Sequence, residues 1–194
     1  MEFKTFNSAL AILALAAVAA SAVAQPRDPQ AVQQAQREAM APLQIIDGVW
    51  RGPAWTLQPN GEKRHLIQTE RIGPFLQGTV RVIEGRGYLA DGKVGFNALG
   101  IVSYDPAKKT YALRSYAMGY SGDFAFRPSA DGYAWDISAG PDTTIHYVAT
   151  VRDGTLHEVG DRVVAGQPPV RIFEMTLKRI GDTAWPAGDA VPRD

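Results

Sequence analysis

The sequence predicts an all-β fold, a single antiparallel meander barrel of about ten strands with a short N-terminal helix. Three observations predict it. The run Asp47-Gly48-Val49-Trp50-Arg51-Gly52 follows a short helical stretch, and its Gly48 lets the chain turn sharply into a strand. Within that run Trp50 offers a large apolar plug carrying a single N–H to satisfy. Beyond it, turn signals recur between alternating segments, and the 19 glycines and 13 prolines are spread along the chain rather than clustered.

At 194 residues one domain is the natural size for a barrel. The formal net charge of zero gives no electrostatic reason to expect nucleic acid or an anionic membrane surface as a partner. Residues 1–24 read as a signal peptide: Lys4 supplies charge, 9–20 is an apolar run, and Ala22-Val23-Ala24 is a small-x-small cleavage pattern. The expected product is a bacterial periplasmic or secreted protein starting near Gln25, with no membrane insertion after processing. The chain has no cysteine, so neither disulfides nor a lipid-bearing cysteine are available to it.

Residues 25–46 form the helix and lead-in, 47–180 the barrel, and 181–194 a loose tail. Asp28-Pro29 is a helix start, an N-cap acceptor followed by proline at the first helical position. The following run of helix formers reaches Met40 and is stopped by Pro42, giving a helix that lies across one end of the barrel. Strands are then expected near 50–57, 65–72, 78–88, 94–104 and 110–118. Five more follow near 123–127, 133–138, 145–152, 155–164 and 170–180. Gly85 and Gly87 predict a bulge or bend in the third strand.

Two-residue hairpins let the facing of side chains be carried from strand to strand. Asp153-Gly154 is such a turn, so Val151 faces Leu156 and Ala149 faces Glu158. One side of this ribbon is then Ile145, Tyr147, Ala149, Val151, Leu156 and Glu158, which places Glu158 inside the barrel with a need for a partner, water or a proton. His157 falls outside. In the last strand Phe173, Met175, Leu177 and Arg179 share the inner side, with Ile172 on the other. Arg179 is expected to stack on Trp50 and close the barrel, a structural role rather than a catalytic one. Phe124 and Phe126 pair with Ile137 and Trp135 as an aromatic wall, suited to core or to an apolar pocket.

Val80, Val82, Glu84, Arg86 and Tyr88 share a face of the third strand, so inward valines would carry Glu84 and Arg86 inward as well. Arg114, alternating with Tyr116, can join them. These charges are tolerable in a hydrated cavity where they pair with one another. The competing reading is that bends at Gly85 and Gly87 flip the register and expose them.

With Gly48-x-Trp50 near the start and Arg179 near the end, the chain resembles the calycin group of lipocalins and fatty-acid-binding-like barrels. It is similar to a bacterial lipocalin-like family of uncharacterised domains through five short runs. They are Gly48-Val49-Trp50-Arg51-Gly52, Gln68-Thr69-Glu70-Arg71, Ile83-Glu84-Gly85, Ser103-Tyr104-Asp105 and Leu156-His157-Glu158. The resemblance spans 40–180 and implies a barrel without fixing its function.

The expected function is binding of a small, mostly apolar molecule in the barrel. The ligand-binding candidates are Glu84, Arg86, Arg114, Tyr116, Phe126, Trp135, Tyr147 and Glu158, with Gly48, Trp50 and Arg179 as structural closure. Two alternatives remain beside it: a small enzyme using Glu158 or Glu84 as general acid or base, and a filled barrel of the cell envelope. No nucleophile–histidine–acid order and no metal-ligand cluster is apparent, so no catalytic residue, metal or cofactor is assigned. Haem would need an inward histidine, and the final strand has none.

Overall fold

A computed structural model of the chain describes residues 28–183. The segment 1–24 and the tail beyond Thr183 lie outside the described residues. Helix α1 (Pro29–Met40) is capped by the Asp28 carboxylate, which accepts a hydrogen bond from the Gln30 backbone N–H at 2.9 Å. Pro42 ends the α-helix without ending helical structure, because the chain tightens into a 3-10 helix over Ala41–Ile46. A proline early in such a turn gives up an N–H that had no partner to lose.

Ten strands follow: β1 (Gly48–Leu57), β2 (Lys63–Phe75), β3 (Val80–Tyr88), β4 (Val94–Asp105), β5 (Thr110–Ala117), β6 (Tyr120–Ser129), β7 (Gly132–Ser138), β8 (Thr143–Arg152), β9 (Thr155–Val164) and β10 (Val170–Gly181). Each pairs antiparallel with the next, and β1 also pairs with β10, closing the barrel. Several strands run a few residues beyond their sequence-based limits, and β10 continues through Gly181, inside the stretch expected to be loose.

The two ends of the barrel differ. The helical lead-in lies at the end that carries the β2–β3, β4–β5, β6–β7 and β8–β9 connections, where Tyr111 Oη donates to the Ala39 carbonyl at 2.8 Å. Met40, Leu43 and Ile46 are fully buried there with Trp50, Ile72, Leu156 and Leu177. Trp50 Nε1–H donates to the Ile46 carbonyl at 3.0 Å, so the plug satisfies its one polar atom on the lead-in it covers. Arg81, buried at the same end, grips Asp47 through Nε and Nη2 at 2.6 and 2.7 Å and donates from Nη1 to the Met40 carbonyl.

Arg179, expected to stack on Trp50, pairs with it across β1 and β10. Its guanidinium donates to the Asp47 carbonyl and meets the Asp182 carboxylate at 2.9 Å. Gly48 explains the geometry: with φ of +147° and a would-be Cβ only 2.7 Å from Arg179 Nε, it leaves room for the guanidinium to cross the strand edge.

Candidate functional site

In β2, Leu66, Gln68, Glu70 and Ile72 are buried while Lys63, Arg64, His65 and Ile67 are exposed, which is the alternation of a strand with one face inside a barrel. Trp50 pairs with Glu70 and Ala54 with Leu66, so the facing of the tryptophan plug fixes that of the carboxyl. On β3 the residues opposite Glu70 and Gln68 are Gly85 and Gly87. A Cβ at Gly85 would lie 2.8 and 3.0 Å from the two Glu70 carboxyl oxygens, and one at Gly87 2.8 Å from Gln68 Oε1. The missing side chains are what make room for two polar groups inside the wall.

From the other side of the barrel, Glu158 on β9 enters the same space. It pairs with Ala149, as the Asp153-Gly154 hairpin requires, and with Met175 on β10, and is 7% exposed. Trp135 Nε1–H donates to its Oε1 at 3.0 Å and Tyr133 Oη to its Oε2 at 3.4 Å. Aromatic rings build the remaining wall: Trp135 stacks on Tyr147 at 4.3 Å between centroids, Phe124 meets Trp135 edge-on, and Tyr147 meets Phe173. Gly160 is the space that Tyr147 fills, since a Cβ there would stand 2.6 Å from the Tyr147 ring.

These groups enclose a cavity of about 330 Å3, with Leu57, Phe96 and Ile172 toward the end of the barrel away from α1. Ile172 reaches it because a bulge between Arg171 and Phe173 breaks the strict alternation of β10, against its expected outward facing. Among the described residues, no lysine, arginine or histidine lines this cavity. Burial pushes the Glu70 carboxyl up to about 8, opposed by the Gln68 hydrogen bond and reinforced by the charge of Glu158. Glu158 is likewise pushed up by burial, to about 7, against the pull of its Trp135 and Tyr133 hydrogen bonds. Burial raises Tyr147 to about 12, and Tyr133 is raised as well, so both keep their phenolic protons. The site therefore offers two carboxyl groups that gain or lose a proton near neutral pH, set against aromatic faces.

Phe126, Trp135, Tyr147 and Glu158 come together here as the sequence placed them. Glu84, Arg86, Arg114 and Tyr116 do not. Gly85 and Gly87 take the inner face of β3, which turns Val80, Val82, Glu84, Arg86 and Tyr88 outward. The valines misled because β3 is apolar on both faces: Ile83 lines the cavity from within. Glu84 faces Arg86 and Arg71 at 3.3 and 3.9 Å, and Arg114 binds Asp123 and the Tyr116 hydroxyl, all on the outer surface. Glu84, Arg86 and Tyr116 line a wider groove of about 720 Å3 there, bounded also by Leu99, Met118 and Tyr120. That groove is solvent-facing and its charged groups are mutually paired, so the enclosed cavity is the better site. The predicted bulge of β3 is present at Gly87/Tyr88, where pairing with β4 slips by one residue. The three histidines lie outside: His65 is exposed, His146 contacts Asp136 and His157 contacts Glu174.

Glu70, Gln68 and Tyr133 were missed as site residues. The signal for Glu70 was its pairing with Trp50, but the loop from Gln58 to Glu62 is too long for facing to be carried across it. No protein-family model matches the chain, and no curated protein matches it. Among solved structures, the crystal structure of Rv2717c from M. tuberculosis is similar, with a TM-score of 0.55 and 12% identity over 73% of this chain and 97% of that one. At that identity the likeness is one of fold, and it places this chain among barrels of the same architecture.

Proposed function

We propose that this protein is an exported, lipocalin-like barrel of the calycin type that binds a small, mostly apolar molecule in its cavity. The observation that carries the reading is the enclosed space of about 330 Å3 between the Trp135–Tyr147 stack and the buried pair Glu70 and Glu158. A barrel kept only as a filled scaffold gains stability by closing such a space with side chains, because cavities and buried carboxyls both cost free energy. Here the space between Leu57, Phe96, Ile172 and the aromatic wall stays open, with both buried carboxyls lining it. General acid chemistry is the second reading; of the two acids first considered for it only Glu158 lines the cavity, where Glu70 joins it, while Glu84 faces outward.

Export is supported by the charged start, apolar run and Ala22-Val23-Ala24 pattern. N-terminal sequencing of the exported protein should begin at or near Gln25, and an intact Met1 in the soluble periplasmic fraction would contradict it. Binding is tested by titrating N-phenylnaphthylamine, a neutral probe that brightens in apolar surroundings. One saturable site should weaken about tenfold or more in Phe126→Ala or Trp135→Ala. Unchanged binding in both variants would leave the aromatic wall as core alone.

A further inference from the structure

We propose that the cavity is selective for apolar molecules bearing a protonated amine, with the ammonium held by Glu70 and Glu158 and the apolar body against the aromatic wall. This inference rests on the binding reading above and names the ligand class of the same site.

Three independent features support it. The first is charge balance. Glu70 and Glu158 are the two ionisable acids of the cavity, and no basic side chain among the described residues lines it. Elsewhere on this barrel acidic groups stand against bases, as Asp47 does with Arg81, Asp131 with Arg152 and Asp161 with Arg171. The second is an open acceptor. Glu70 is 7% exposed, and the side chain that reaches it is Gln68, which donates to Oε1 at 2.7 Å. Gly85 stands against the carboxyl with no side chain to cover Oε2. A carboxyl that lines a cavity becomes, once it gives up its proton, a strong acceptor for a charged N–H. The third is the wall. The Trp135–Tyr147 stack, with Phe126 and Phe173, lines the cavity around Glu158, and aromatic rings accommodate a desolvated cation as well as an apolar body.

The competing ligand classes fit less well. A carboxylate-bearing ligand such as a fatty acid would bring a third acid into a cavity with no base. A neutral alcohol would leave the carboxyls to hold their protons, which burial already favours. The titratable groups that line the cavity with the pair are Tyr133 on β7 and Tyr147 on β8, both uncharged; β3 presents Ile83 and Gly85, β10 presents Ile172, Phe173 and Met175, and Glu84 on the outer face of β3 adds a further negative charge near Glu70. An entering ammonium thus meets no basic side chain among the residues that line the cavity.

The test uses the full chain and three probes that share one apolar body: naphthylethylamine, naphthylethanol and naphthylacetic acid, titrated by calorimetry near neutral pH. The amine should bind about tenfold or more tightly than the alcohol, with the acid weakest. Glu70→Gln and Glu158→Gln should each remove that preference while alcohol binding stays within about threefold, which also shows that the variants fold. The inference is overturned if the alcohol or the acid binds as well as the amine, or if the amine preference survives both substitutions; the cavity reading then still stands. If none of the three probes binds, both readings fall.

Discussion

Trp50 holds the closed end of the barrel through shape and through one hydrogen bond, and the two can be separated. Trp50→Ala should cost about 3–5 kcal/mol, because the pocket beneath Met40, Leu43 and Ile46 cannot refill. Trp50→Phe keeps most of the packing and leaves the Ile46 carbonyl without its donor, at about 1–3 kcal/mol. Arg81→Met should cost about 2–4 kcal/mol, reduced from the fully buried case because Asp47 keeps some access to water. Urea denaturation reads all three. The buried carboxyls act in the opposite sense from these contacts. Their folded values, about 8 for Glu70 and about 7 for Glu158, lie above the ordinary 4.5, so the folded state holds protons that the unfolded chain releases. The favourable contribution is complete below pH 4.5 and is lost as pH rises through 7 and 8. Melting temperature should therefore fall between mildly acidic and mildly alkaline pH, and Glu70→Gln should flatten that fall by removing the proton. A Glu70→Gln profile as steep as that of the unchanged protein would place the pH dependence elsewhere.

At the scale of elements, the glycine row of β3 shapes the site. Gly85→Ala would set a methyl group within 3.0 Å of both Glu70 oxygens and should cost about 1–3 kcal/mol or displace the carboxyl into the cavity. Either outcome should weaken probe binding, whereas Gly92→Ala, at a turn with open space around it, should cost stability through its positive φ alone and leave probe affinity unchanged. The same elements show what could be read from sequence and what could not. The hairpin at Asp153-Gly154 carried facing across two residues, and Ala149 opposite Glu158 follows from it. The β2–β3 ribbon had no such anchor. Its loops are longer, β3 is apolar on both faces, and a conformation with positive φ at Leu76 and Gln77 joins the strands. Gly85 and Gly87 looked like sites of bending, and the bulge is real at Gly87, but their larger role is the space they leave for Gln68 and Glu70. A glycine inside a strand does not say from sequence alone which neighbour fills its place.

At the scale of the whole molecule, the outer face carries most of the charge, while the interior carries the aromatic rings, the two cavity acids and, at the closed end, Arg81. Cross-strand ion pairs such as Arg127–Asp136 and Arg171–Asp161 cover the outside, where each contributes little to stability. The helical lead-in fills one end of the barrel, and the cavity lies toward the other, bounded there by Leu57, Phe96 and Ile172. The most direct measurement of the central claim is a nuclear magnetic resonance titration with N-phenylnaphthylamine that follows the indole N–H signals, assigned by single Trp→Phe changes. Trp135 donates to Glu158 inside the cavity, Trp55 donates to Glu174 on the outer face, and Trp50 is sealed at the far end. The Trp135 signal should shift with saturation at one equivalent of probe, while those of Trp55 and Trp50 stay in place. A titration that moves Trp55, or the backbone amides of 116–121 in the outer groove, with Trp135 unchanged would contradict the account.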